Sequence, residues 1–157
     1  MFVDATPDDK ILKTLQSIED KYKISEKDPF NSQCNNVNCM PCKNVSESSS
    51  SKCRDMNVTY KAKCKTCEDE GKERVYYGET CRNLNIRSQE HYKDCENKSK
   101  NSWMYQHIKN EHDNLTSEEC DFKWTVIKRF KKPMQRQLSE AISIDTENDK
   151  HLLNLKN

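Results

Sequence analysis

Two groups of cysteine and histidine residues have the spacing of zinc ligands. In the first group, a Cys64-x2-Cys67 turn is followed by His107-x4-His112. A short Cys-x2-Cys turn can hold a tetrahedral metal from one side, and a histidine pair at the end of a helix can complete the site. The second group lies upstream and consists of Cys34, Cys39, Cys42 and Cys53. Neither group leaves a position for water, so we expect two structural zinc ions.

Each part of these groups also has a simpler explanation. The Cys64–Cys67 pair alone fits a redox motif or two buried thiols, and the His107–His112 pair alone fits the solvated end of a helix. The upstream cysteines also fit an irregular cysteine-rich segment, and ligands exchanged between the two groups are a further possibility. Three cysteines outside both groups are predicted to be ordinary buried or surface thiols: Cys81, Cys95 and Cys120.

The composition predicts one polar domain with a thin core. Of the 157 residues, 34% are charged and 32% are hydrophobic, and only two are glycine. A chain of this kind usually needs metal or covalent staples, which its nine cysteines can supply. The formal net charge of +1 excludes a global basic field. Any contact with DNA must therefore come from a local basic patch.

The chain has no apolar segment that suggests secretion or a membrane. Met1–Asp4 opens no apolar signal region, and no stretch approaches the roughly 20 apolar residues of a membrane span. We therefore expect a nuclear or cytoplasmic protein that is not secreted and has no membrane partner. In a reducing compartment, paired cysteines favour metal binding over disulfides.

The periodicity of the apolar residues predicts an α+β domain. Alternation predicts strands at Val58–Cys64 and at Phe122–Val126, continuing to Phe130, and Val75–Gly78 is predicted to be a further short strand after a polar turn. A polar turn joins the first two strands, which are predicted to form an antiparallel hairpin. With the helices placed between and after the strands, the order is ββααβα, a small three-stranded antiparallel sheet flanked by helices.

Four helices are predicted from apolar spacing and capping residues. An arm at Asp8–Lys23, a helix at Leu84–Lys93 and a helix from the N-cap Ser102 to Asn110 fit helical periodicity. Pro133 fits the first position of the last helix. The inward residues of that helix are predicted to be Met134, Leu138, Ala141 and Ile142.

The predicted hairpin carries two motifs that resemble those of the GIY-YIG endonuclease superfamily. Val58–Tyr60 matches the first motif at its tyrosine, and Tyr76–Gly78 matches the second at its tyrosine and glycine. The stretch Gly78–Leu84, followed by Arg87 and His91, extends the resemblance. The most similar variants are the endonuclease domains of Penelope-like retroelements. These carry a Cys-x2-Cys between the two motifs, a histidine pair after the first helix and an upstream cysteine cluster.

The resemblance implies a catalytic role for five residues. Tyr60 and Tyr76 would lie on adjacent strands, and one of them would orient or deprotonate the attacking water. Arg87 would neutralise the scissile phosphate, and His91 would assist proton transfer or hold the phosphate. Glu140 would bind a catalytic divalent cation, magnesium or manganese, that stabilises the leaving oxygen. The implied activity is metal-dependent hydrolysis of DNA phosphodiester bonds.

The resemblance also suggests partners and a domain organisation. DNA would be the substrate, and a reverse transcriptase encoded with or beside the chain would be a further partner. The alternatives are a catalytically inactive zinc-stabilised nucleic-acid-binding module and a zinc-organised protein-interaction module. Four segments follow: an arm or linker at 1–33, the cysteine-rich segment at 34–56, the nuclease-like domain at 57–145 and a tail at 146–157. Basic residues expected to contact phosphates are Lys61, Lys63, Arg82, Lys128 and Arg129.

Overall fold

The computed structural model describes residues 10–15, 38–43 and 53–155. The chain divides into two compact units, Met1–Asn31 and Ser32–Asn157. In the first unit, residues 10–15 form a helix (α1), which agrees with part of the predicted arm. The remainder of that predicted helix lies outside the described residues. Among the described residues, no helix has the length and apolar character needed to cross a membrane.

The second unit is an α+β fold with a three-stranded antiparallel sheet, as predicted. The strands lie in the order β2-β1-β3, so the first strand of the hairpin is central. One short helix, between the hairpin strands, replaces part of the predicted turn. The elements are α2 (Met40–Lys43), β1 (Val58–Cys64), α3 (Lys65–Asp69), β2 (Val75–Thr80), α4 (Leu84–Glu96), α5 (Trp103–Glu111), β3 (Phe122–Arg129) and α6 (Pro133–Thr146).

The central strand β1 divides its side chains between two faces of the sheet. Tyr60, Ala62 and Cys64 are fully buried on one face, because alternate residues of a strand point the same way. The antiparallel register places Tyr60 opposite Gly78 and Ala62 opposite Tyr76. This face packs into the main hydrophobic core with residues of α4, α5 and β3.

Side-chain caps define where the two central helices begin. The side chain of Asn83 accepts a hydrogen bond from the backbone N–H of Ile86 at the start of α4. The Ser102 hydroxyl accepts one from the N–H of Tyr105, which confirms the predicted N-cap of α5. Both caps satisfy backbone groups that the first turn of a helix leaves unpaired.

The inward face of α6 differs from the prediction. Pro133 begins the helix as expected, but Met134 is 78% exposed and Ala141 is also exposed. The buried residues are Arg136 and Ser139. Arg136 forms an ion pair with Glu79 and donates a hydrogen bond to the side chain of Asn57. A buried charge with two partners outweighed the apolar spacing.

The residues after α6 cover the outer edge of the sheet. Leu152 forms a parallel bridge with Val75, and the backbone N–H of Leu153 donates to the Val75 carbonyl at 2.8 Å. Leu153 is itself buried in the core. The Asn154 side chain bonds to the backbone N–H and C=O of Tyr77. These contacts protect the exposed edge of β2, which would otherwise present unpaired backbone groups.

Candidate functional site

Five cysteine and histidine side chains meet where β1 ends, and we call them the metal cluster. All five are buried. The Cys64 Sγ lies 3.7 Å from the His112 Nε2, and the Cys67 Sγ lies 3.6 Å from the His107 Nε2. Ligand atoms around a tetrahedral zinc ion are separated by about 3.3 to 3.8 Å, given zinc–ligand bonds of ~2.0 to 2.3 Å. The members of the cluster are Cys64, Cys67, His107, His112 and Cys120.

Cys120 belongs to this cluster, although its spacing predicts an ordinary thiol outside both metal sites. Its Sγ lies 3.9 Å from that of Cys64, far beyond a disulfide bond length of ~2.05 Å. The set Cys64, His107, His112 and Cys120 is fully buried, and all its ligand atoms lie within 4.8 Å of one another. Cys120 precedes β3 by two residues, and the register pairs Cys64 with Phe122. Only this strand pairing brings Cys120 to the site.

A second set of ligands overlaps the first and includes Cys67. Its atoms also lie within 4.8 Å of one another and belong to Cys67, His107, Glu111 and His112. Glu111 lies partly exposed at the edge of the cluster, where its Oε2 is 4.0 Å from the His107 Nδ1. Arg74 holds the same carboxylate through a 2.7 Å hydrogen bond. A carboxylate hydrogen-bonded behind a histidine ring orients a ligand and makes it more basic. Glu111 is near that position, but the His107 Nδ1 forms no hydrogen bond within the described residues.

One of the three thiols of the cluster, Cys64, has a pKa lowered in the direction that metal binding needs, whereas burial and the charge of Cys64 raise the pKa of Cys67. The hydrogen bond with Cys120 is the largest effect that lowers the pKa of Cys64, with a smaller contribution from His107. The same pairing raises the pKa of Cys120. One thiolate is therefore favoured before any ion binds. The donor set of thiolates and imidazoles suits zinc, which prefers sulfur and nitrogen ligands.

The upstream cysteines form a second candidate site. The sulfur atoms of Cys39, Cys42 and Cys53 lie within 4.8 Å of one another. Cys34, the predicted fourth ligand, lies outside the described residues. The carbonyl of Cys53 also accepts a hydrogen bond from the backbone N–H of Asn85, in the first turn of α4. An ion at this site would therefore hold the start of α4. No disulfide bond joins the cysteines of the described ranges.

A group of aromatic and charged side chains lies on the same face of the sheet as Cys64. The Tyr60 Oη is 2.7 Å from the His91 Nε2, and the Trp103 Nε1 donates to the His91 Nδ1 at 3.1 Å. The Tyr76 ring stacks on Trp103, with centroids 4.3 Å apart and an interplanar angle of 8°. We call the whole group the tyrosine cluster: Tyr60, Tyr76, Arg87, His91, Trp103 and Glu140.

Gly78 explains how Tyr60 fits between the strands. A Cβ atom on this residue would lie 2.4 Å from the Cζ and Oη of Tyr60. That distance is below any real van der Waals contact, so only glycine leaves room for the phenol ring at this position. The glycine of the second motif is thus required by the tyrosine of the first.

The charged members of the tyrosine cluster act on its aromatic members. Burial raises the pKa of Tyr60 well above its usual value and raises that of Tyr76, while the positive charge of Arg87 opposes both shifts. Burial and Arg87 lower the pKa of His91 to about 3. Burial, followed by the charge of Glu79, raises the pKa of Glu140 to about 7. The predicted catalytic residues therefore form one electrostatically connected group.

Trp103 is the member of this cluster that sequence reasoning missed. Its position in the sequence predicts no role in chemistry. The structure gives it two contacts with predicted site residues, the hydrogen bond to His91 and the stacking on Tyr76. Tryptophan has no specific spacing signature, so only the packing of α5 against α4 and β2 identifies it.

The predicted phosphate-binding residues are largely engaged with carboxylates. Lys63 pairs with Glu68 and Glu73, and Arg129 contacts Asp55 at 2.7 Å. Arg82 and Arg87 both pair with Glu90. The remaining two predicted residues, Lys61 and Lys128, are half-buried. These residues do not form a free basic surface.

The fold and the two clusters define a small α+β domain with cysteine–histidine groups that can hold a structural metal ion such as zinc. A search of protein-family models, of curated proteins and of solved structures finds no match in any of the three. Function must therefore be argued from the two clusters themselves.

Proposed function

We propose that the chain is a metal-dependent DNA endonuclease of the GIY-YIG kind that nicks phosphodiester bonds and derives from a retroelement. The observation that carries this proposal is the single electrostatically connected group formed by Tyr60, Tyr76, Arg87, His91 and Glu140. These residues come from β1, β2, α4 and α6, which are far apart in sequence. Chance packing seldom brings two phenols, a guanidinium, an imidazole and a carboxylate together.

The solvent exposure of each of these residues indicates which of them can contact the substrate. The Arg87 side chain is 30% exposed and pairs with Glu90, so a phosphate from solvent would compete with that carboxylate for the guanidinium. Tyr76 is half-buried, whereas Tyr60 is fully buried. We assign phosphate binding to Arg87 and contact with the attacking water to Tyr76. Tyr60 and His91 lie behind Tyr76 and set its position and polarity.

Glu140, at the edge of this group, would hold the catalytic cation. Its carboxylate is half-buried and close enough to Glu79 for the two charges to interact. Two carboxylate groups near one another suit a hard divalent cation such as magnesium, with oxygen ligands. When bound, such an ion stabilises the charge that develops on the phosphate and the leaving oxygen. Glu140 would hold that ion.

In this proposal zinc is structural. The metal cluster fixes the end of β1, which also carries Tyr60, and the upstream cysteines fix the start of α4, which carries Arg87 and His91. Both zinc ions would therefore support the elements that position the catalytic group, without touching substrate.

The test is nicking of supercoiled plasmid by the zinc-loaded chain in magnesium. We expect nicking by the wild-type chain and a loss of at least about a hundredfold in Glu140→Gln, since charge stabilisation in a transition state is worth that much per group. Asp145→Asn is the matched control, because Asp145 is an exposed acid on the same helix. Absence of nicking by the wild type, or equal nicking by Glu140→Gln, would contradict the proposal.

A second candidate function is a catalytically inactive nucleic-acid-binding module. The full burial of Tyr60 favours it, because a phenol closed off from solvent has no access to an attacking water. The carboxylate partners of Lys63, Arg82 and Arg129 leave less positive charge for DNA in either candidate. This candidate predicts salt-dependent DNA binding without nicking in magnesium or manganese. Binding and nicking measured on the same plasmid separate the two candidates.

A further inference from the structure

The His91 ring is enclosed by aromatic side chains. It is 6% exposed, and its centroid lies 5.2 to 6.2 Å from four neighbouring rings. A buried imidazole needs a hydrogen-bond partner for each nitrogen, because no water replaces a missing one. Both of its nitrogens have such a partner within the cluster. The four enclosing residues are Tyr60, Tyr76, Trp103 and Trp124.

The identity of one partner fixes the proton on His91. The indole N–H of Trp103 can only donate, so the His91 Nδ1 must accept and cannot carry a proton. An imidazolium is excluded for the same reason, since two donors would then face each other. The single proton of the neutral ring is therefore on Nε2, which donates to the Tyr60 oxygen at 2.7 Å.

We propose that Trp103 is a positioning residue that fixes His91 in the Nε2–H tautomer. His91 then donates a hydrogen bond to Tyr60 and cannot accept the phenolic proton of Tyr60. That proton must turn away from His91, and the Tyr76 side chain, whose pKa is raised by burial and partly lowered by a hydrogen bond with Tyr60, is the neighbour that can accept it. Any negative charge on the Tyr60 oxygen is stabilised by the His91 N–H and by Arg87. A histidine beside a tyrosine is usually taken to accept the phenolic proton. Here His91 is the donor instead.

The position of Trp103 on α5 links this device to the metal cluster. Trp103 and His107 are four residues apart on the same helix, which places them on one face about 6 Å apart along the axis. A metal ion bound to His107 would hold α5 against the sheet. The same constraint would keep the Trp103 indole in register with the His91 Nδ1.

The tautomer can be read directly from long-range proton–nitrogen NMR correlations of the zinc-loaded full chain. We expect His91 to show the Nε2–H pattern at pH 7, with its signals assigned by their loss in His91→Gln. In Trp103→Phe, which removes the donor and keeps an aromatic ring, we expect a mixture of both tautomers. An Nδ1–H or doubly protonated His91 in the wild type, or an unchanged pattern in Trp103→Phe, would overturn the inference.

Trp124→Phe is the matched control for a change of packing. Trp124 lies 5.8 Å from the His91 ring, and its indole N–H donates no hydrogen bond within the described ranges. This variant should keep the Nε2–H pattern. If Trp103→Phe fails to fold, the pattern of the wild type and of Trp124→Phe still decides which tautomer His91 adopts.

The kinetic consequence rests on the proposed nuclease function. We expect Trp103→Phe to lower kcat for nicking by about tenfold to a hundredfold, at or below the lower end of the range for acid–base groups because Trp103 acts through His91, with KM for DNA unchanged. If the chain nicks no DNA while the NMR pattern is as expected, the proposed function fails and the tautomer assignment stands. If the chain nicks DNA but His91 carries its proton on Nδ1, the tautomer assignment fails and the proposed function stands.

Discussion

The metal cluster and the tyrosine cluster share two elements but are held together by different forces. Tyr60 and Cys64 lie on the same face of β1, and Trp103 and His107 lie on the same face of α5. In the metal cluster, buried thiols and imidazoles crowd together at 3.1 to 3.9 Å. In the tyrosine cluster, the buried groups are already satisfied by aromatic packing and by hydrogen bonds between neutral partners.

This difference shows which cluster is stable without a bound ion. Close-packed thiols and imidazoles need an ion to compensate their mutual repulsion and desolvation, so the metal cluster gains its stability from outside the chain. The tyrosine cluster buries the rings of Tyr60, His91 and Trp103 and gains its stability from the chain itself. Because β1 and α5 run through both, loss of the ion should reach the tyrosine cluster as well.

The largest expected effect is that of zinc removal. Structural zinc sites supply ~10 kcal/mol or more of folding free energy, which exceeds the net stability of most domains. We expect a zinc chelator to unfold the chain cooperatively, seen as loss of the near-ultraviolet circular dichroism of Trp103 and Trp124. Metal analysis before chelation should give about two zinc ions per chain.

The control for this experiment is an exposed thiol. Cys81→Ser changes a cysteine outside both metal sites and should not alter metal content or Tm. A chelated protein that kept its near-ultraviolet signal would contradict the view that the metal cluster depends on an ion. One zinc ion per chain instead of two would remove the upstream site first.

The next effect concerns which thiols of the metal cluster bind the ion. The fully buried set contains Cys64 and Cys120, whereas Cys67 belongs to the set that reaches the partly exposed Glu111. We expect Cys120→Ser to weaken zinc binding by more than about a hundredfold, the upper range for an outer-sphere partner. Titration against a chromophoric chelator measures this, and cobalt substitution reports the number of thiolates.

Cys67→Ser is the matched comparison for Cys120→Ser. A larger loss of affinity in Cys67→Ser than in Cys120→Ser would restore the four ligands predicted from spacing. Equal losses would mean that both thiols bind, with one histidine displaced. Cys95→Ser, at a buried cysteine outside both sites, corrects for the general cost of a hydroxyl in the core.

The sequence predicts the elements well and the contacts between them less well. The alternation in Val58–Cys64 and the capping residue Ser102 are local signals, and both are confirmed. Cys120 and Trp103 acquire their roles only through the register of β3 against β1 and the packing of α5. Such long-range pairing has no signature in spacing, so neither residue could be assigned from the sequence.

The face of α6 shows the same limit from the opposite direction. Apolar spacing predicts Met134 as an inward residue, but the structure buries Arg136 because Glu79 and Asn57 provide its partners. Periodicity counts apolar residues and cannot see a charge that is paired across the fold. The cation-binding role of Glu140, on the same helix, rests on the resemblance and stays a prediction.

The smallest expected effect is the change in the free energy of unfolding with pH that His91, in the tyrosine cluster, contributes. Burial and Arg87 lower the pKa of His91 from 6.5 to about 3, so the folded chain keeps this ring neutral while the unfolded chain protonates it below pH 6.5. The unfolded state then binds more protons, and stability falls as the pH drops from 6.5 towards 3. Between pH 7 and pH 5, His91 should cost about 2 kcal/mol of unfolding free energy.

Binding of a metal ion is itself weaker in acid, so the wild-type curve alone does not isolate His91. Excess zinc at both pH values limits this effect. His91→Gln lacks the titrating ring and keeps a neutral polar side chain. We expect denaturant unfolding of His91→Gln to lose about 2 kcal/mol less than the wild type over this range. Equal losses in the two proteins would show that His91 is solvated in the folded chain, and that acid destabilises the protein through the metal cluster alone.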